Sequence, residues 1–179
     1  MQISDSVIKK IGKLRKVGLP AGWKLVANLP IGGVRSVGFD KTSEDLLLVS
    51  LGGRGLVDCG SGEIVLRDKA EYFDHELELE ADGIGKYSGV RFRMSGIFGG
   101  GLPLQTTDGW LVNLIHFSSS RAGLLLFEQD FELKEVQNPG TGKYWLLSEE
   151  TDIRAFGFSW TGKSLVYATA SEVSIFGRQ

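Results

Sequence analysis

Glutamates alternate with apolar residues in HELELEA, residues 75–81, and this row of carboxylates is the first candidate for chemistry in the chain. On a strand, Glu76, Glu78 and Glu80 share one face, Asp82 continues the row, and Leu77, Leu79 and Ala81 share the other face. Successive carboxylates on such a face stand about 7 Å apart, so no single ion reaches all three glutamates. The row reads as a solvated face or as an acidic contact for a basic partner, not as a metal site.

The glycines Gly99, Gly100 and Gly101 in GGGLPLQTTDGW raise a second possibility, a cradle for phosphate. A phosphate loop must lead into a helix N-terminus, whose unpaired N–H groups hold the anion. Here Leu102–Pro103–Leu104 follows with no helical periodicity, then an Asp108–Gly109 turn and a strand opened by Trp110. The glycines are therefore expected to form a bulge or tight loop where backbones approach closely. Nucleophilic catalysis has little to work with. Cys59 precedes Gly60 in a turn and reads as a small buried residue, and His75 and His116 are the only histidines. His116 occupies the strand position held by Gly38 and Gly157 in two related segments, which would aim it into a central pocket. No Cys/His metal cluster and no Gly-x-Ser-x-Gly elbow occurs, so neither a metal nor a cofactor is expected. Carboxylates converging in space remain open as the basis of a small hydrolase.

These residues must be positioned by a chain of 179 residues, 42% hydrophobic and 23% charged, enough for a sizeable core. Its 25 glycines and 4 prolines predict many tight turns and short strands. One cysteine excludes an internal disulfide and fits a reducing compartment, and no apolar run is long enough to span a bilayer. The basic start lacks an apolar core and a cleavage site, so a cytoplasmic location is expected. Residues 1–20 carry five cations against Asp5, a net of +4, which leaves −6 for the rest of a chain whose total is −2. An acidic body argues against nucleic acid as partner.

Ile3, Val7, Ile8, Ile11 and Leu14 fall at helical spacing, which predicts a short amphipathic basic helix within residues 1–20, packed on the body. Membrane-surface association through residues 3–17 is the alternative. Residues 21–179 read as a single β-repeat domain. SVGFDKTSEDLLLVS (Ser36–Ser50), LIHFSSSRAGLLLFE (Leu114–Glu128) and AFGFSWTGKSLVYAT (Ala155–Thr169) align without gaps. Phe39, Phe117 and Phe158 coincide, as do Leu46, Leu124 and Leu165, and each segment reads as strand, polar turn, strand. The offsets, 78 and 41 residues, fit a repeat of about 40 with one divergent copy near residues 70–110. An apolar run such as Leu46–Val49 predicts a strand covered on both faces. In the divergent copy, HELELEA and GVRFRMSGI (Gly89–Ile97) read as a hairpin whose arginines pair with the glutamates. The last copy lacks a fourth strand, and GWKLVANLP, ahead of the first copy, could supply it.

VGFDKTSEDLLLVSLGGRGLVDCGSGEIVLRD, within residues 34–68, resembles a blade of the WD-repeat β-propellers. There, F-S-x-[DT]-G-x-x-L precedes the second strand and D-x-x-[ST]-G-x joins the last two. FGFSWTGKSLVYATASEVSIF, within residues 153–176, looks like a second blade. The resemblance implies an all-β, propeller-like ring of about four blades closed by the N-terminal strand, with a β-sandwich or an open repeat stack as alternatives. The functional expectation is a non-enzymatic protein-binding module. One form of it is a bacterial cytosolic immunity protein that blocks a basic toxin, and the rival is a hydrolase with carboxylates in a central pocket. Contact residues are expected at Glu76, Glu78, Glu80, Asp82, Gly99, Gly100, Gly101 and Trp110.

Overall fold

The computed structural model describes residues 18–72, 76–118, 121–128, 144–150 and 152–178. The expected N-terminal helix falls on residues 1–17, outside the described residues, as does His75. Among the described residues, every element apart from two single turns of 3-10 helix is a strand. No helix among the described residues is long and apolar enough to cross a membrane.

The chain forms two compact units, one built from the described parts of Trp23–Leu104 and Asp152–Gln179, the other from the described parts of Met1–Gly22 and Gln105–Thr151. The larger unit begins with β1 (Trp23–Pro30), β2 (Val34–Phe39), β3 (Asp45–Ser50), β4 (Gly53–Asp58) and β5 (Glu63–Asp68). Three short strands follow: β6 (Glu80–Asp82), β7 (Arg91–Arg93) and β8 (Ser95–Gly96). The smaller unit holds β9 (Leu111–Ser118), β10 (Arg121–Phe127) and β11 (Tyr144–Ser148) as one antiparallel sheet, ordered β11-β10-β9. The chain then returns to the larger unit with β12 (Ala155–Phe158), β13 (Ser164–Ala168) and β14 (Glu172–Arg178).

In the larger unit the sheets are ordered β1-β14-β13-β12, β5-β4-β3-β2-β8 and β6-β7. None of them closes into a barrel. The orphan N-terminal strand pairs with β14 along its length, from Trp23 opposite Arg178 to Pro30 opposite Glu172, with a bulge between Leu25 and Ala27. The two large sheets share one core, in which Val37, Leu46, Leu48 and Val57 meet Val166, Ala168, Val173 and Ile175. Leu47, Val49 and Leu56 point the opposite way, into a second core completed by Ala81, Ile84, Phe92 and Met94. The run Leu46–Val49 is thus buried on both faces, as its composition predicts.

Two of the three aligned hairpins share a register. Phe39 lies opposite Leu46, and Phe158 opposite Leu165. In both, the residue after the phenylalanine organises a wide turn: Asp40 accepts the N–H groups of Thr42 and Ser43, and Ser159 Oγ accepts the Ser164 N–H. The third departs from the alignment. Ser118 stays in the ladder opposite Arg121, so the reversal is tighter and Leu124 faces Leu114 rather than Phe117.

The divergent segment also differs from its expected hairpin. A 3-10 turn at Glu76–Glu78 replaces the first half of the strand, Leu77 is 93% exposed, and only Glu80–Asp82 pairs with β7. The physical reason lies in the partner: beyond Met94, which donates to Leu79 O at 2.7 Å, Ser95 and Gly96 leave to pair with β2. Nothing remains for residues before Leu79 to pair with in that ladder. Leu79 makes the reversal at φ +56°, left-handed backbone for a side chain that disfavours it.

Truncation separates one covered face from two. Leu47→Ala and Leu48→Ala should each lower stability by about 2–5 kcal/mol in urea unfolding, because each opens a cavity in a different core. A near-zero cost at Leu47 alone would mean that β6 and β7 do not seal the second face.

Candidate functional site

The stretch Ser95–Gly101 forms a very tight reversal. Gly96 N–H donates to Gly99 O at 2.9 Å, Gly99 N–H donates to Gly96 O at 3.0 Å, and only Ile97 and Phe98 lie between. The Ile97 N–H is taken by Arg35 O, which holds the turn against β2. Gly100 has to be glycine: its φ is +85°, and a Cβ there would stand 2.2 Å from Met94 O. The glycines therefore turn the backbone at close quarters.

The residues at the tip are the unexpected part. Two-residue turns favour Asn, Asp and Gly, which suit the backbone and the water around it. Here Ile97 is 50% exposed and Phe98 55%. Beside them lie Leu79, Glu80, Met94, Arg35 and Ser36, around a dimple of about 10 Å³, room for no more than one water. A surface this shallow suits a macromolecular partner, not a small ligand.

Glu80, which borders this tip, belongs to the acidic row. Arg91 Nη1 lies 3.0 Å from Glu80 Oε2 and 3.3 Å from Glu78 Oε2, and its Nε lies 3.6 Å from Asp82 Oδ1. Three expected site carboxylates thus converge on one guanidinium, whose pKa is raised first by the hydrogen bond to Glu80. All four side chains are well exposed, so solvent screens the pairs and they contribute little to stability. Glu76 lies in the 3-10 turn just before them. Gly99 and Glu80 share the dimple, whereas Gly99, Gly100 and Gly101 line a separate pocket with Leu104, Arg154 and Phe156.

Two expected site residues belong to the smaller unit. Trp110 is half-buried against Trp145, with ring centroids 6.0 Å apart, and its backbone N–H donates to Thr106 Oγ1. His116 is exposed on β9, opposite Ala122, rather than turned into a cavity, because its place in the ladder follows the shortened reversal at Ser118.

One polar cluster has no counterpart in the sequence reading, because its members lie more than forty positions apart. The buried carboxylate of Asp45 accepts the Tyr87 hydroxyl at 2.7 Å and the Lys86 ammonium at 2.5 Å, and Ser43 Oγ lies 3.0 Å from Tyr87 Oη. Serine beside tyrosine and lysine resembles an activated nucleophile, but neither neighbour is a base here. Burial first, and then Asp45, raises the Tyr87 hydroxyl, and the hydrogen bond to Asp45 raises Lys86, so both keep their protons at neutral pH. The cluster latches the loop Gly85–Tyr87 onto the β2–β3 turn. Cys59 is equally unreactive: burial foremost, then Glu44, Asp58 and Asp45, pushes its thiol up. No group of three or more His, Cys, Asp or Glu side chains among the described residues is placed to hold a metal ion.

No protein-family model matches the chain, and no curated protein sequence matches it either.

The turn at Asp40 and the latch at Lys86 fix opposite limbs of the stability profile. Burial alone would raise Asp40, but the hydrogen bonds from Thr42 and Ser43 together outweigh it and lower its pKa. A lowered carboxylate favours the folded state above the ordinary value of about 4, and that contribution disappears as pH falls through the folded value. Lys86, being raised, contributes fully below its ordinary pKa and is lost as pH rises through the raised one. Urea midpoints of Asp40→Asn should therefore fall less steeply than wild type between about pH 5 and 2. Those of Lys86→Met should change less above about pH 10. Parallel profiles for variant and wild type would show that these groups do not set the limbs.

Proposed function

We propose that the protein is a protein-binding module whose contact surface is centred on Ile97 and Phe98. The observation that carries this reading is the pair of large apolar side chains held outward on a rigid two-residue turn. Aromatic residues presented on a braced backbone make effective interface anchors, because little conformational freedom is lost on binding. Glu80, which lies beside the tip, and Glu78 and Asp82, which share its Arg91, favour a partner with a basic surface. The same three carboxylates are tied to Arg91 rather than gathered around a cavity, which favours binding over hydrolysis.

The narrower form of this reading is a cytosolic immunity protein that covers the basic surface of a bacterial toxin. The buried, protonated Cys59 is compatible with a reducing compartment. For the architecture, the finer proposal is a propeller-like ring. Its support is the two hairpins in matching register and the addition of β1 to the last sheet.

A photo-crosslinking residue at position 98, in cells of the native host, tests the surface directly. It should form an adduct with a basic protein, and the isolated complex should weaken as salt rises. Ile97→Ser/Phe98→Ser should abolish the complex while shifting stability by no more than about 0.5 kcal/mol per site, since both side chains are half exposed. A complex that survives the double variant would refute the tip as its anchor.

A further inference from the structure

A cleft of about 380 Å³ lies in the larger unit, far along the sheet from the Ile97–Phe98 tip, under the connection Pro30–Gly32. Its wall is β4, where glycines at two alternate positions leave the first half of one face without side chains. Gly53 lies opposite Ser50, and Gly55 lies between Leu48 on β3 and Arg67 on β5. The two glycines have different causes. Gly53 is forced, with φ +103° and an added Cβ only 2.1 Å from Asp68 O. Gly55 is not: its φ is ordinary, and an added Cβ would meet nothing nearer than 3.9 Å. A glycine in a strand interior weakens it, and one that the backbone does not require marks a place where something else approaches the strand.

The lining has a definite chemistry. Ile31 and Ile64 supply the apolar surface that reaches the cleft, above the buried Leu48 and Val57, and Arg67 and Lys69 stand exposed at the rim. The β4–β5 bulge between Leu56 and Val57 is what allows Ile64 and Arg67, three positions apart, to line the same cleft. Arg54, also on the lining, is already engaged: its guanidinium donates to Asp82 O and Asp68 and stacks on Tyr72 at 4.0 Å. No carboxylate lines the cleft, and among the described residues neither Arg67 nor Lys69 is paired with one.

We infer that this cleft binds a small anionic amphiphile, a single-chain carboxylate with its alkyl body on the apolar floor and its head between Arg67 and Lys69. At about 30 Å³ per heavy atom, the cleft holds roughly a dozen, the size of decanoate. A concave apolar surface with few convergent polar groups is the usual composition of a small-molecule site.

Decanoate, octan-1-ol and inorganic phosphate, each titrated into the isotope-labelled full chain, test this by amide chemical shifts. Decanoate should move Gly53, Gly55, Leu48 and Ile64 saturably, and the alcohol and phosphate should bind at least about tenfold more weakly because each supplies half of the ligand. Gly55→Leu should abolish the shifts with an unchanged circular dichroism spectrum, since the site accommodates a Cβ. Arg67→Gln/Lys69→Gln, on the exposed rim, should weaken decanoate about tenfold and leave octan-1-ol unaffected. Equal binding of phosphate and decanoate, shifts located elsewhere, or no response to either variant would overturn the inference.

Discussion

Leu46 and Leu48 point into one core while Leu47 and Val49 point into another, and water reaches neither set. Each of these side chains contributes about 1.5–3 kcal/mol by its burial, so β3 demands a cover on both faces. The sheet formed by β1, β14, β13 and β12 supplies one cover. The other comes from the segment between Tyr72 and Met94, folded back as β6, β7 and the loop between them. Arg54 secures that second layer through Asp68, Asp82 O and the ring of Tyr72, and the Asp45–Tyr87–Lys86 cluster fastens its far end. Residues 76–94 therefore serve as a layer over β3 rather than as a strand-rich sheet of their own.

That role also accounts for the surface. A covering layer with few strands has little ladder to hold it, so its path is set by turns, by Leu79 in a left-handed conformation and by glycines at Gly96 and Gly100. Where the path ends, the chain must pass to β2 in a very small space, and the reversal leaves Ile97 and Phe98 outside. Exposed apolar side chains at a braced turn and a residue held against its preferred backbone are both features that persist at sites of contact.

Much of the larger unit could be read from residue patterns. The run Leu46–Val49 announced two covered faces, the spacing of Phe39 to Leu46 and of Phe158 to Leu165 gave two hairpin registers, and the absent fourth strand of the last copy pointed to Trp23–Leu29. The same spacing misled at Phe117, because a serine can either organise a turn or stay in a ladder and composition does not decide which. HELELEA has the alternation of a strand, but alternation cannot reveal that the neighbouring strand ends after three residues. The exposed tip was hidden because Ile-Phe reads as strand, and the cleft because the sequence does not distinguish a forced glycine such as Gly53 from an unforced one such as Gly55.

The pairing of β1 with β14 ties Asn28 to Ser174, 146 positions apart, through the hydrogen bond from Ser174 Oγ to Asn28 Oδ1. On the ribosome, β1 emerges long before its partner exists, and residues 105–151 of the smaller unit are translated in between. Chain growth at about 5–20 residues per second leaves that strand without its ladder for several seconds or more. The larger unit therefore completes its fold only after β14 has been made, and the late, long-range closure gives it the kinetics of a high-contact-order protein. In that interval the edge of β1 is open, and its lysine, Lys24, and terminal proline, Pro30, are of the types that discourage a wrong strand from adding to an edge.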